Sequence, residues 1–327
     1  MTKQYYLESK NDLTDSTTLI EKNLSEFGIC ELGPGKFYVS GIKMPDGTAM
    51  IGTGAATKII LLPQVESGAA ITLGSFCTVK NLYICGAEEK IALPDTVGKR
   101  HAILFKGDAR ATKNYDGQSK HSIIESCFIT AFVGGGITCD NTGYSPRSSI
   151  TASNCHIFNC GAGINIPFFS EYHEFTNILS TENLYGCVNN GGNNVFMNCG
   201  FNCNVTGFII DNANGLANNQ AHGSAIGCTF NHSDGNKGIG IEVIGAKWGY
   251  VFSGCQLHYS KVIVENSTNI LFNNFIVGKD HSFEINGGNL TTLTNCAFLV
   301  EPNIKILEND KVKISSCYTT DGKEVTI

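Results

Sequence analysis

Four carboxylates lie within or directly after short apolar runs in the second half of the chain: Asp211, Glu242, Glu265 and Glu284. Two neighbouring carboxyl groups can hydrolyse a glycosidic bond, because one protonates the leaving oxygen while the other activates water. Crowding of like charges raises the pKa of some of them, as a general acid requires. This chemistry needs all four on one surface. The alternative is that they are separate, solvated surface charges. Which of the two holds depends on whether the strands that carry the four carboxylates place them on one face.

A six-residue phrase recurs along the chain. It reads apolar, any, Asn/Ser/Gly, small or apolar (usually Cys), any, usually apolar, as in Val79–Ile84, Ile124–Ile129 and Ala152–Ile157. The third position falls at residues 81, 126, 154, 177, 198, 227, 254, 273, 295 and 316, so the bends after 198 centre on Gly227, Gly254, Asn273, Asn295 and Ser316. A period in the low twenties with variable insertions is typical of a solenoid, in which each repeat is one turn.

The third position favours residues that tolerate a left-handed backbone, so each phrase predicts two strands joined by a sharp bend. A second apolar phrase follows about ten residues later, at 136–139, 163–166, 207–210, 240–243, 261–264 and 282–285. Two or three short strands per turn, stacked over about a dozen turns, make an all-β, single-stranded right-handed parallel β-helix. At ~4.8 Å per stacked strand, the rod is roughly 55 to 60 Å long.

Alignment of the second phrases predicts which side chains point outward. The position between the two buried residues holds Thr138, Asn165, Ile209, Glu242, Ile263 and Glu284, and the position after them holds Asp140, Pro167, Asp211, Ile244, Glu265 and Asn286. The carboxylates therefore alternate between two columns and are diagonal neighbours, roughly 8 Å apart by strand geometry. Inverting glycosidases use such a separation. A register slip of one residue would turn Glu242 inward.

Aromatic residues beside the acidic columns are predicted to bind substrate, because sugar rings stack on aromatic side chains. Trp248 and Tyr250 lie in the loop after the Glu242 strand, and His258 and Tyr259 follow on the same turn. The alternative is that the Trp248 loop is a buried anchor. The loop 168–174 contains two further candidates, Tyr172 and His173. Longer excursions at 86–94, 106–119, 140–149, 213–224 and 231–237 are expected to form binding walls.

The charge balance limits the classes of partner. The net charge is -6 and the 23 Lys and Arg residues are thinly spread. Nucleic acids are bound by clustered cations, so the sequence predicts no nucleic-acid partner and favours a neutral polysaccharide or oligosaccharide. There is no run of 18 apolar residues and no charged-then-apolar leader, which predicts no membrane insertion, no signal peptide and synthesis in the cytoplasm.

Cysteine spacing predicts buried thiols. Seven of the 14 cysteines follow the bend position directly: Cys127, Cys155, Cys199, Cys228, Cys255, Cys296 and Cys317. A stack of small buried thiols explains this repeated slot better than disulfides, because free Cys packs as a small hydrophobe. The chain has no C-x-x-C pair or close Cys/His quartet, so we predict no metal and no cofactor.

The predicted domain organisation has three parts. Residues 1–30 are a lead-in with a capping helix, 31–319 the β-helix and 320–327 a tail. A capping-box spacing from Thr18 to Glu21 and an apolar face of Ile20, Leu24 and Phe27 predict the helix, which Gly28 ends.

The first turns resemble a known family. The runs 34–41 (PGKFYVSG), 45–48 (PDGT) and 50–54 (MIGTG) resemble the opening of pectate-lyase-like right-handed β-helix proteins, especially bacteriophage and prophage tailspike or tail-fibre proteins. The opening match covers about 35 residues, and the repeats extend it to about residue 319. The resemblance implies a homotrimer in a virion tail that contacts the exterior of a host cell. It is specific for fold rather than activity, since the fold carries lyases, hydrolases, epimerases and adhesins.

Together these features predict a tailspike-like protein that binds a bacterial surface polysaccharide and hydrolyses it. A second hypothesis is a glycan-binding or structural tail protein without catalysis. A polysaccharide lyase is a third, with Arg100, His101 and Arg110 as its candidate residues. The last is a cellular carbohydrate-active enzyme.

Overall fold

A computed structural model describes residues 5–106, 120–140, 148–167, 170–211, 221–234, 238–307 and 311–326. Parts of the excursions predicted as binding walls lie outside these ranges, at 107–119, 141–147, 168–169, 212–220 and 235–237, and so does Arg110.

The described chain contains one helix and many short strands. The helix is α1 (Thr17–Phe27), between β1 (Tyr6–Leu7) and β2 (Ile29–Leu32). The strands that follow are β3 (Gly35–Val39), β4 (Ile42–Lys43), β5 (Ala49–Ile51), β6 (Thr57–Leu61), β7 (Gly68–Leu73), β8 (Thr78–Lys80), β9 (Tyr83–Cys85), β10 (Arg100–Lys106), β11 (Lys120–Glu125), β12 (Phe128–Asp140), β13 (Ser148–Ser153), β14 (His156–Ile166), β15 (Glu174–Thr176), β16 (Leu179–Thr181) and β17 (Tyr185–Asn189). The second half adds β18 (Asn194–Met197), β19 (Gly200–Asn202), β20 (Thr206–Asp211), β21 (Gly223–Ile226), β22 (Thr229–Asn231), β23 (Gly238–Ile244), β24 (Tyr250–Ser253), β25 (Gln256–His258), β26 (Ser260–Asn273), β27 (Ile276–Val277), β28 (Ser282–Thr294), β29 (Ala297–Phe298), β30 (Ile304–Ile306), β31 (Val312–Ser315) and β32 (Tyr318–Thr319).

These strands stack into three parallel sheets that wind around one core, which confirms the right-handed parallel β-helix. Sheet 1 holds the strands before each bend: β2, β5, β8, β11, β13, β15, β18, β21, β24, the ends of β26 and β28, and β31. Sheet 2 holds the strands after each bend: β3, β6, β9, the starts of β12 and β14, β16, β19, β22, β25, β27, β29 and β32. Sheet 3 holds the second apolar phrase: β4, β7, β10, the ends of β12 and β14, β17, β20, β23, the starts of β26 and β28, and β30.

The bends between sheets 1 and 2 have the predicted left-handed backbone. At Asn154 φ is 55° and at Asn177 it is 54°. Each bend also donates its backbone N–H to the carbonyl that precedes the next bend, as from Asn154 N to Thr176 O at 3.1 Å. One bend was predicted wrongly: Asn274, not Asn273, has the positive φ of 54°, and Asn273 ends β26.

The residue after each bend points into the core. All seven predicted cysteines of this slot are buried free thiols, as are six of the other seven, Cys203 alone being exposed. Each of the seven thiols also lies near the carbonyl two residues earlier, across the bend, as Cys155 Sγ does to Ser153 O at 3.2 Å. In the turn that bends at Asn274, the slot is occupied by Phe275, which is buried.

Stacked aromatic rings fill the core of the second half of the rod. Phe175 and Phe196 pair in register, and their ring centroids are 5.0 Å apart with nearly parallel planes. Phe252 and Phe272 repeat this stack at 5.3 Å. Offset aromatic stacks of this kind add to the stabilisation that burial provides.

Helix α1 packs against the first turn of the β-helix. Ile20 and Leu24 are fully buried in the same core, but Phe27 is 39% exposed, so its assignment to the buried face was wrong. The predicted capping box does not form either. Asp15 Oδ1 accepts the Thr17 N–H instead, and Gly28 ends the helix with φ of 70°. Within the described residues, no helix is long and apolar enough to cross a membrane.

We expect Asn154→Ala to lower the free energy of unfolding by about 1 kcal/mol or more, because an alanine has no means of offsetting the cost of left-handed φ. Asn154→Gly should stay closer to the wild type, although both variants lose the contact from Asn177 Nδ2 to Asn154 Oδ1 at 3.2 Å. Denaturant unfolding measures both. Equal stability of the alanine and glycine variants would contradict this account of the bend.

Candidate functional site

The register of sheet 3 places the four acidic side chains on its outer surface. Glu242 is paired with Ile209 on one side and Ile263 on the other, and Ile263 is paired with Glu284. The neighbouring column contains Asp211, Ile244, Glu265 and Asn286 in order. The residues on either side of Glu242 in its strand, Ile241 and Val243, are fully buried. The predicted outward register is therefore confirmed, and the slip by one residue does not occur.

We call Asp211, Glu242 and Glu265 the acidic cluster. All three side chains are half-buried. Burial, followed by the negative charges of Asp211 and Glu265, raises the pKa of Glu242 above its usual value. Among the described residues, no lysine or arginine forms an ion pair with Glu242, and no group of three or more His, Cys, Asp or Glu side chains is arranged to hold a metal ion. The cluster thus holds one carboxyl that favours the protonated form beside two others.

Glu284 is in a different electrostatic environment. Lys261 Nζ lies 3.3 Å from its Oε2, and Lys305 Nζ lies 3.7 Å from its Oε1. Its carboxylate is thus engaged by two lysines, whereas no such pair forms at Glu242 in the described part of the chain. The alignment predicted its position in the column but not these partners, because the lysines lie one turn before and one turn after it.

Tyr185 belongs to the same surface and was missed by the sequence analysis. Burial and the nearby carboxyls of Glu242 and Asp211 raise the pKa of this phenol, so it keeps its proton near neutral pH. Its strand ends beside Asn190, whose Oδ1 accepts the backbone N–H of Asp211 at 3.0 Å. No signal in the sequence pointed to it, because Tyr185 lies outside the aligned phrase and two residues before the buried Cys187, a position that strand alternation predicts to face inward.

A buried polar network continues up the face of sheet 3. His101 Nδ1 accepts the Gly135 N–H and lies near Thr138 Oγ1, both at 2.9 Å. Burial lowers the pKa of His101, which keeps the imidazole neutral near pH 7. The neighbouring Arg100 donates from Nη2 to the carbonyl of Gly86 at 3.0 Å. Arg100 and His101 therefore hold backbone segments in place.

The predicted aromatic residues divide into exposed and buried groups. Trp248 is 66% exposed in the loop that follows β23, and Tyr172 is 52% exposed. His258 and Tyr259 are half-buried, with Tyr259 directly before β26. All four remain candidates for substrate contact.

Two aromatic predictions were wrong. Tyr250 is 1% exposed and packs against Phe208 and Phe252 in the core. His173 is fully buried, and its Nδ1 accepts the Ile150 N–H at 3.1 Å. Neither side chain is accessible to a polysaccharide.

A cavity of about 550 Å³ lies at the edge of sheet 3 where β23, β26 and β28 begin. Its lining includes Tyr259, Lys261, His281, Ser282 and Asn303. Since Lys261 is also the partner of Glu284, the cavity adjoins the acidic columns. Trp248 lies beyond the opposite ends of the same strands. The outer face of sheet 3 therefore has aromatic side chains at both borders.

No family model matches this sequence, and no curated protein matches it. Solved structures do share its fold. The enzymatically active domain of tailspike protein 2 from bacteriophage CBA120 has a TM-score of 0.61 and 14% identity, covering 97% of this chain and 47% of that one. Tailspike gp49 of Acinetobacter baumannii bacteriophage Fri1, a capsular polysaccharide depolymerase, has a TM-score of 0.54 and 12% identity, covering 96% and 58%.

A third similar structure is the catalytic unit of an alpha-1,3-glucanase from Streptomyces thermodiastaticus, with a TM-score of 0.62 and 11% identity, covering 100% of this chain and 71% of that one. The present chain spans about half the length of the two tailspike structures. At these identities the likeness shows the fold. The chain is a right-handed parallel β-helix, similar in fold to phage tailspike proteins.

Proposed function

We propose that this protein binds a bacterial surface polysaccharide along the outer face of sheet 3 and hydrolyses it there. The observation that carries the proposal is the half-buried Glu242, whose pKa is raised, between the carboxyls of Asp211 and Glu265. The similar structures add support, because their names describe a capsular polysaccharide depolymerase and a glucanase. We further propose a phage or prophage tail protein that assembles as a homotrimer and contacts the host exterior.

In this mechanism Glu242 is the general acid. Its proton passes to the glycosidic oxygen as the bond from that oxygen to the anomeric carbon breaks. A water molecule attacks the same carbon from the opposite side and gives a proton to Asp211 or Glu265. Diagonal positions on neighbouring strands are roughly 8 Å apart, which leaves room for that water and favours inversion of configuration. The protonated Tyr185 can donate a hydrogen bond to whichever carboxylate is ionised.

Substrate contacts are proposed at both borders of the face. Trp248 offers an exposed ring at one border, and the cavity beside Tyr259 can hold a sugar unit at the other. Tyr172 and His258 extend these walls. The net charge of -6 and the thin spread of Lys and Arg along the chain favour a neutral glycan over a polyanionic one.

The first prediction from this mechanism concerns Glu242→Gln, which removes the transferable proton while preserving shape. We expect the rate of oligosaccharide release to fall by about 10²- to 10⁴-fold, the usual contribution of a positioned general acid. Asp211→Asn and Glu265→Gln should show which carboxylate activates water. Release is measured by chromatography after incubation with a panel of purified capsular and O-chain polysaccharides.

Glu125→Gln is the matched control. Glu125 is also partly buried on an outer sheet surface, 2.8 Å from Lys80, but it lies on sheet 1. Activity should be unchanged in this variant. Wild-type protein that binds polysaccharide but releases no product would instead favour the non-catalytic glycan-binding alternative.

The second prediction concerns pH. The folded state raises the pKa of Glu242 above 4.5, so the stabilisation that its neutral form provides is complete below pH 4.5 and is lost as pH rises through the raised pKa. Glu242→Gln should therefore match the wild type near pH 4 and be the more stable of the two at pH 8. Denaturant unfolding at both pH values tests this.

The same titration should limit catalysis. The rate should fall on the alkaline side, because Glu242 loses the proton that it must donate. A rate profile with no alkaline limb, together with equal pH dependence of stability in both proteins, would count against Glu242 as the acid.

A further inference from the structure

A second cavity lies on sheet 2, on a different face of the rod from the acidic cluster. Its volume is about 340 Å³, within the range of small-ligand pockets. Between sheet 2 and the segment 86–99, which we call the covering loop, the cavity contacts Thr130, His156, Phe158 and Thr181. The β-helix repeat does not require this loop, because other turns pass directly from sheet 2 to sheet 3.

The covering loop is held in place at several points along the rod. Asn159 makes two hydrogen bonds to the backbone of Ile91, each of 2.9 Å, and is itself 1% exposed. Lys90 Nζ lies 2.7 Å from Glu182 Oε2. At the other side, Glu88 accepts hydrogen bonds from Tyr38 and from Lys36. The loop thus crosses sheet 2 from β3 to β16, and its contacts shape the cavity wall.

A row of rings borders this cavity. Tyr83, Phe128 and His156 occupy one outward column on successive turns. The centroids of Tyr83 and Phe128 are 6.5 Å apart with nearly parallel planes, and those of His156 and Phe158 are 4.9 Å apart. Phe128 is 41% exposed although it lies in a sheet. Burial lowers the pKa of His156, so this ring is a neutral aromatic near pH 7.

We propose that this cavity and the adjoining rings form a second polysaccharide-binding site, which holds the glycan without cleaving it. The rings offer apolar surface for the C–H faces of sugars, and Thr130 and Thr181 line the adjoining cavity. Glu88 and Glu182 each form an ion pair with a lysine, so neither carboxylate is directed at the cavity as a catalytic pair would be. The proposal does not depend on hydrolysis at sheet 3.

The test uses the full chain with Asp211→Asn and Glu242→Gln, so that cleavage at sheet 3 does not disturb the measurement. Binding is measured on an array of purified capsular polysaccharides, O-chain polysaccharides and neutral glucans. Adding Phe128→Ala should weaken binding of at least one polysaccharide by about tenfold, as loss of a central aromatic contact does.

Ile276→Ala is the matched control, because Ile276 occupies the same column and is 42% exposed, but it lies on β27 away from the cavity. Binding should be unchanged in this variant. Sedimentation velocity of each variant shows whether its oligomeric state is preserved.

Three results would overturn the proposal: no polysaccharide bound, equal effects of Phe128→Ala and Ile276→Ala, or a change in oligomeric state with unchanged binding. The last would identify the rings as a self-association surface. These outcomes are distinct from failure of hydrolysis, because binding is measured in the inactive background.

Discussion

The one-residue left-handed bend between sheets 1 and 2 is the constraint on which the rest of this structure depends. It sets the direction of both strands that leave it, and the backbone hydrogen bond from each bend to the next keeps successive turns in register. Because side chains alternate along a strand, a shift of one residue would bury the outward set of side chains and expose the core. The position of Glu242 on the surface thus depends on bends such as Gly227 and Gly254, on either side of its strand.

The residue after the bend must satisfy two demands at once, which explains the repeated cysteines. It lies in a fully apolar core, where a hydroxyl would be costly without a partner, and it lies close to a carbonyl across the bend. A thiol is small, apolar and a weak donor, so it packs against its neighbours and still points to that carbonyl, as Cys155 does to Ser153. Phe275 meets the packing demand alone, where the core is built of stacked aromatic rings.

Periodicity in the sequence is sufficient to predict the fold and the outward columns, because each repeat gives the same information again. The wrong predictions concern single residues, whose positions are not repeated from turn to turn. Asn273 and Asn274 are equally suited to a bend, and only the burial of Phe275 decides between them. Tyr250 and His173 lie two residues before the buried Phe252 and Phe175, so strand alternation already predicted that they point inward. They were predicted to contact substrate only because they are aromatic, and that prediction was wrong. The lysines that pair with Glu284 lie on neighbouring turns, so only the structure could identify them.

Non-repeating segments carry the chemical variety of this molecule, for a physical reason. The repeat fixes inward side chains by packing, so only outward positions and insertions are free to vary without loss of the core. On sheet 3, the outward positions of successive turns hold three neighbouring carboxyls, and burial with the two other charges raises the pKa of Glu242. On sheet 2, Asn159 and Glu182 hold an insertion across the strands, two and three turns along the rod from β9, where the insertion begins. A polysaccharide is long and repetitive itself, so the two sites proposed above would let one glycan chain bind at two points, and modest affinities at each would be multiplied by the tether between them.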